Sequence, residues 1–261
     1  MKFQIQKDSD FSYMETLPDN KEYPLLLLHG LMGALSNFET IVDSFSEKMN
    51  VVVPMLPIFE MPLKSLSVDG LVDYVYKFIK FKKYEKVHVL GNSLGGHICQ
   101  LLALQHPEVV HSLILTGSSG LFESAMGNTF PKRGSYEYIR QKTEMVFYNP
   151  ESASQELIDE VYDIVNDLGK CIRIVKTAKS AVRHNLEDRL KEIKQPVLLI
   201  WGLDDEVTPA WVGKKFHDLL PNSELHLFEK CGHVPMMEHP EEFNELLESF
   251  LNRVSSSVEI V

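Results

Sequence analysis

The stretch VHVLGNSLGGHICQLLALQHP, residues 87–107, joins an apolar run, one serine between glycines and an amphipathic pattern. Residues 87–90 read as a strand and residues 94–106 as a helix. Between them Gly91-Asn92-Ser93-Leu94-Gly95 has the spacing G-x-S-x-G. A serine forced into a strained strand-to-helix turn needs near-absent side chains two positions to either side, where the backbone is crowded. Gly91 and Gly95 supply that, and the start of the following helix favours negative charge beside Ser93. A turn that cradles phosphate is a poorer fit, because the P-loop lysine and the wider G-x-G-x-x-G spacing are both missing.

Working outward, short β-rich segments recur at residues 3–6, 11–15, 25–28, 51–53, 87–90, 112–116, 197–201 and 224–228. The later ones are unbroken apolar runs, which suits strands buried on both faces of a parallel sheet. Helical patterns at 37–48, 66–80, 94–106, 209–219 and 240–254 alternate with them, so the expected class is α/β, a sheet flanked by helices. The rhythm breaks between residues 121 and 194, a stretch too long for a connection and too patterned for disorder. Helical pieces at 135–147, 155–167 and 170–182 make it an inserted cap. The expected division is a core of residues 1–120 and 195–261 with a helical cap of residues 121–194. Phe122, Met126, Phe130, Tyr136, Tyr138, Met145, Phe147 and Tyr148 give that cap the apolar surface to roof a pocket, although aromatics at helical spacing usually pack inward. Lys132 and Arg133 could meet a substrate carboxylate, but exposed basic residues beside a proline are more often solvated.

Composition narrows the function. With 26 Lys and Arg against 37 Asp and Glu, the formal charge of -11 gives no electrostatic reason to expect nucleic acid or an anionic membrane as partner. Residues 1–11 hold no apolar block of signal-peptide length, and residues 25–28 are far too short to span a bilayer, so a cytoplasmic protein is expected. Cys99, Cys171 and Cys231 are scattered without a CxxC or a disulfide-like spacing. The histidines form no H-E-x-x-H pattern, so no metal site is expected. No motif specifies an oligomeric state.

Serine alone is a weak nucleophile near neutral pH and needs a base and an orienting acid. Residues 198–209, LLIWGLDDEVTP, place Asp204 and Asp205 directly after a strand, and Cys231-Gly232-His233 follows the last one. The candidate catalytic set is Ser93, Asp205 and His233, in the chain order Ser, Asp, His. Asp204 is the alternative acid. The turn His29-Gly30-Leu31-Met32-Gly33 after the strand at 25–28 can present a backbone N–H to a developing oxyanion, together with the N–H of Leu94. Leu31 is the expected donor and Met32 the reserve; His29 is expected to hold the loop. His97, four residues after Ser93, reads as a packed structural residue.

These segments, HGLMG (29–33), GNSLGG (91–96), WGLDDEVTP (201–209) and KCGHVPMMEHP (230–240), resemble the α/β-hydrolase superfamily over essentially the whole chain. In that family the orienting acid lies three residues after the glycine of W-G and four before the proline, which selects Asp205. The resemblance implies an eight-stranded, mostly parallel sheet with a cap after the sixth strand. Within the superfamily the chain is similar to carboxylesterases and to the meta-cleavage-product C–C bond hydrolases. Asn37 and Asn92 look like asparagines that the latter keep near the substrate, whereas Val234 stands where they usually carry tryptophan. The serine at position 93 sets the chain apart from haloalkane dehalogenases and epoxide hydrolases, which use aspartate there.

The reading is therefore a serine hydrolase acting on a small or medium-sized apolar ester through an acyl-enzyme, without metal or organic cofactor and with a small molecule as its partner. Asn37, Asn92, Met32, Phe122 and Val234 are its pocket candidates. The alternatives are a C–C bond hydrolase, a perhydrolase or acyltransferase, and a small-molecule receptor that keeps a slow triad.

Overall fold

The computed structural model describes residues 4–20, 22–33, 35–122 and 134–256. Within them eight strands form one sheet: Gln6–Asp8 (β1), Phe11–Glu15 (β2), Leu25–Leu28 (β3), Val51–Pro54 (β4), Val87–Asn92 (β5), Val110–Thr116 (β6), Val197–Gly202 (β7) and Ser223–Phe228 (β8). Their order is β1-β2-β4-β3-β5-β6-β7-β8. β1 and β2 pair antiparallel and every pairing from β4 to β8 is parallel.

The unbroken apolar runs are explained by burial on two faces. In β3, Leu25 and Leu27 point into one layer with Ile41 and Phe45 of Glu39–Phe45 (α1) and Phe243 and Leu247 of Pro240–Ser256 (α9). Leu26 and Leu28 point into the other, with Val72 of Val68–Phe81 (α2), Ile98 of Leu94–Gln105 (α3) and Phe216 of Ala210–Leu219 (α7). All four leucines are fully buried, and removing each from water is worth roughly 2 kcal/mol. The same alternation runs through Leu113, Ile114 and Leu115 of β6 and Leu199, Ile200 and Trp201 of β7.

Two expected elements differ. The first strand, expected over 3–6, begins among the described residues at Gln6 and runs on to Asp8, because its pairing is set by the two-residue turn between Asp8 and Phe11, where Ser9 takes φ 51°. The helix expected over 37–48 is a 3-10 turn, Leu35–Phe38, followed by the short α1. Ser46 and Met49 close its end with bonds to Val42 and Phe45, which turns the chain into β4.

Between β6 and β7 come Tyr136–Glu144 (α4), Gln155–Asn166 (α5) and Leu168–Arg183 (α6). Ser135, Ser154 and Asp167 cap them, accepting from Tyr138 N, Leu157 N and Lys170 N. α6 and the residue after it are fastened to the start of α2 by Val68 N on Ser180 Oγ at 3.0 Å and by His184 Nε2 with Asp69 Oδ2 at 3.0 Å, and to the loop before α2 by Arg173 on Met61 O. Met126, Phe130, Lys132 and Arg133 lie outside the described residues. Among the described residues no helix is long and apolar enough to cross a membrane.

The strand order decides where a site can form. From β3 the chain crosses to β4 on one side, and from β5 it moves to β6 on the other. Such a switch point opens a crevice at the carboxyl ends of the two central strands. The turn 29–33 leaves β3 there, and Ser93 leaves β5 there.

Candidate active site

Ser93 sits between β5 and α3 with φ 54° and ψ −118°, a conformation that L-residues avoid. Three main-chain bonds hold it: Ser93 N donates to Thr116 O at 3.1 Å, while Ser93 O accepts from His97 N at 3.2 Å and Ser119 N at 3.1 Å. The glycine spacing is steric in origin. A Cβ on Gly91 would lie 2.3 Å from the carbonyl carbon of Gly95, and one on Gly95 would lie 1.9 Å from Leu28 O.

Leu94 is the first residue of α3, so its N–H has no carbonyl to reach within the helix. Among the described residues neither that N–H nor the N–H of Leu31 has a protein acceptor. The turn carrying Leu31 is braced by His29, whose Nδ1 donates to Gly30 O at 2.8 Å and whose Nε2 accepts from Leu56 N at 3.4 Å. Burial holds the His29 ring below the ordinary histidine range, partly opposed by the Gly30 bond, so the ring serves as a neutral brace.

Asp205 follows β7 and is 4% exposed. Its Oδ1 accepts from Val207 N and Thr208 N, both at 2.8 Å; its Oδ2 accepts from Thr208 Oγ1 at 2.9 Å and from His233 Nδ1 at 2.9 Å. Asp204 is exposed and anchors the turn through its N–H on Cys231 O at 2.9 Å. An ionised carboxylate only accepts, so Nδ1 of His233 is the donor to it, the tautomer that in a neutral ring leaves the lone pair on Nε2. Thr208 Oγ1 also lies 3.3 Å from that Nδ1, and Trp201 Nε1 fixes Thr208 by donating to its carbonyl at 2.7 Å.

His233 and Ser93 meet through their surroundings. Gly117 follows Thr116, the residue that receives Ser93 N, and a Cβ on it would stand 2.7 Å from His233 Nδ1. Its φ of 49° adds a second reason for glycine there. Asn92 Nδ2 donates to both Thr116 O at 3.1 Å and His233 O at 3.0 Å. Asn92 is thus committed to main-chain carbonyls as a brace between the serine turn and the histidine loop.

The remaining pocket candidates occupy different settings. Asn37 is half-buried on the 3-10 turn, and Leu31 and Met32 are half-buried against the layer containing α3. Phe122 packs edge-on against Trp211 with ring centroids 5.1 Å apart. Val234 is 3% exposed and packs with Phe147, Cys231 and Met236, so it belongs to the core of the histidine loop. His97 is fully buried and pushed down to about 4 by that burial, and it shares a hydrogen bond with the His184 main chain. A cavity of about 420 Å³ follows the outer side of α6, lined by Leu168, Ile172, Val175 and Lys179 among others and separate from Ser93.

Sequence reasoning passed over Gly117 and Thr208. Thr208 left a signal, as the residue three after Asp205 whose N–H, with that of Val207, closes a side-chain turn on Oδ1. Gly117 meets its partner, the His233 ring, only through the fold.

The chain matches the Alpha/beta hydrolase family over residues 25–246. It is 28% identical over 254 residues to a Pseudomonas sp protein named as a 2-hydroxy-6-oxononadienedioate/2-hydroxy-6-oxononatrienedioate hydrolase, covering 90% of this chain and 89% of the relative. It is 27% identical over 278 residues to a monoacylglycerol lipase of Bos taurus, covering 96% and 82%. Among solved structures, an alpha/beta hydrolase enzyme from a sediment metagenome of the Mar Chica lagoon, Morocco, superposes with a TM-score of 0.79 at 39% identity, covering 96% of this chain and 98% of its own. With the family matched over most of its length and the strand order and serine turn in place, this chain belongs to the alpha/beta hydrolase family.

Proposed function

We propose that the protein is a serine hydrolase that cleaves a small or medium-sized apolar carboxylic ester through Ser93, His233 and Asp205. The observation that carries this reading is the buried 2.9 Å bond from His233 Nδ1 to Asp205 Oδ2, set beside the strained turn at Ser93. His233 Nε2 takes the proton of Ser93 Oγ as the oxygen attacks the ester carbonyl. Asp205 holds the ring in the tautomer that leaves Nε2 free and stabilises the imidazolium. The N–H groups of Leu31 and Leu94 receive the oxyanion, and one such donor is worth about 10²–10³ in kcat. The tetrahedral adduct collapses as His233 returns the proton to the leaving alcohol, giving an acyl-enzyme. Water then attacks with the same base, the acid is released and Ser93 Oγ regains its proton.

Helices α4–α6 form the cap over this crevice on our reading, with residues 121–194 as cap and 1–120 with 195–261 as core. Met32, Asn37 and Phe122 are the side chains we assign to the substrate pocket. A small molecule is the partner, and the three separate, buried thiols suit a cytoplasmic protein.

A second reading, hydrolysis of a C–C bond in a 2-hydroxy-6-oxo-dienoate, is favoured by the activity named for the Pseudomonas relative. Release of p-nitrophenol from acetate, butyrate, octanoate and laurate esters by the wild type, Ser93→Ala and His233→Ala tests the first. Ser93-dependent turnover of an ester supports it. Turnover of a dienoate with inert esters moves the assignment to the second, and flat traces with both overturn the hydrolase reading in favour of a ligand receptor.

A further inference from the structure

Glu238 ends the short helix Pro235–Glu238 (α8), and its carboxylate is shared between two separate parts of the chain. Oε2 accepts from Gly232 N at 2.7 Å, and Oε1 accepts from Tyr148 N at 2.7 Å. Next to them His233 N donates to Val146 O at 2.8 Å. Residues 146–148, which follow α4, therefore lie along residues 232–233 and are joined to them by three hydrogen bonds, two of which pass through one side chain. The fit is close enough that a Cβ on Gly232 would stand 2.6 Å from Val146 O and 2.9 Å from the carbonyl carbon of Phe147. Phe147, 6% exposed, packs in the same cluster as Cys231 and Val234.

A carboxylate has no donor, so both bonds are charge-assisted and neither can be replaced by a group that itself donates. Gly232 is buried, and its N–H loses its acceptor if the carboxylate goes. Nothing in the proposed chemistry needs Glu238 to touch substrate. We infer that Glu238 is a positioning residue that locks the segment after α4 to the loop carrying His233, so the seat of 146–148 sets the imidazole against Asp205 and Ser93. The inference rests on the catalytic reading of Ser93, His233 and Asp205.

Glu238→Gln keeps the volume but only one acceptor oxygen, and turns an amide N–H toward one of two N–H donors. The test compares wild type, Ser93→Ala and Glu238→Gln in ester hydrolysis across pH, with amide hydrogen exchange of 145–148 and 231–234 measured on the same proteins. The expected result is a kcat lowered by about 10- to 100-fold, a KM changed by less than about three-fold, and a displaced acid limb of kcat/KM. Exchange should quicken in both segments together and stay unchanged in β7. A Glu238→Gln enzyme whose kcat and pH profile coincide with wild type, or whose exchange rises in one segment alone, overturns the inference. Absence of Ser93-dependent turnover in the wild type overturns the catalytic reading itself, and the positioning role falls with it; the two failures are told apart by the wild-type trace.

Discussion

Replacing Asp205 by asparagine isolates the orienting acid from the fold around it. The carboxylate accepts four hydrogen bonds, two on Oδ1 from Val207 N and Thr208 N and two on Oδ2 from Thr208 Oγ1 and His233 Nδ1. Asparagine keeps one oxygen, and the two main-chain N–H groups bind it because they can only donate. Its NH₂ then faces His233 Nδ1, which must accept, so the ring proton moves to Nε2 and the lone pair needed for Ser93 is lost. The worked precedent for such a wrong tautomer in a serine protease is a fall of about 10⁴ in kcat, and a loss of that order is expected here. Stability changes little, because the buried N–H groups stay satisfied. Asp205→Ala strands both of them, at about 1–3 kcal/mol for each buried donor. Ester hydrolysis read beside urea unfolding separates the two effects: asparagine removes activity and leaves the midpoint near wild type, whereas alanine removes both. Asp205→Asn activity within ten-fold of wild type, or an equal loss in Asp204→Asn, would refute the assignment.

Three further outcomes follow from the geometry. The strained φ of 54° at Ser93 makes Ser93→Gly more stable than Ser93→Ala by about 1 kcal/mol, and urea midpoints that coincide contradict the strain. Gly117→Ala, whose Cβ would meet His233 Nδ1 at 2.7 Å, is expected to lower kcat by more than about ten-fold while KM holds; an unchanged kcat places the ring elsewhere. Burial pushes His88 down to about 3 and His97 down to about 4, from 6.5. The unfolded chain therefore binds protons below pH 6.5 that the native state refuses, so this contribution to stability is complete above pH 6.5 and shrinks as pH falls. Between pH 6.5 and pH 5 the loss is on the order of 2 kcal/mol for each histidine. Urea unfolding across that window should slope less steeply in His97→Gln than in wild type, and an identical slope contradicts it.

Much of the fold is legible because sheet burial leaves a direct trace: β3, β7 and residues 113–115 of β6 are unbroken apolar runs, and each is buried on both faces. β1 left no such trace. Its residues are exposed, and the hairpin turn rather than burial sets its place. Gly91 and Gly95 are readable because the steric demand is local and the motif states it. Asp205 and Asp204 differ by one position; the family spacing points to Asp205, and the main-chain bonds from Val207 N and Thr208 N to its Oδ1 give the physical difference between the buried acid and the exposed one. Asn92 shows the reverse case. Its residue type suits a ligand, but its amide is taken by carbonyls from residues 24 and 141 positions away. The bond from Tyr148 N to Glu238, 90 positions away, and the closeness of Gly117 to the His233 ring are contacts of that same long-range kind, which spacing along a chain does not record.

In the proposed function Ser93 is the nucleophile and His233 activates it. The most direct test of that role is reaction with a fluorophosphonate followed by peptide mass spectrometry. One phosphonyl group per chain is expected, on Ser93, formed far more slowly in His233→Ala. A label on another residue, or none on the folded wild type, would contradict it.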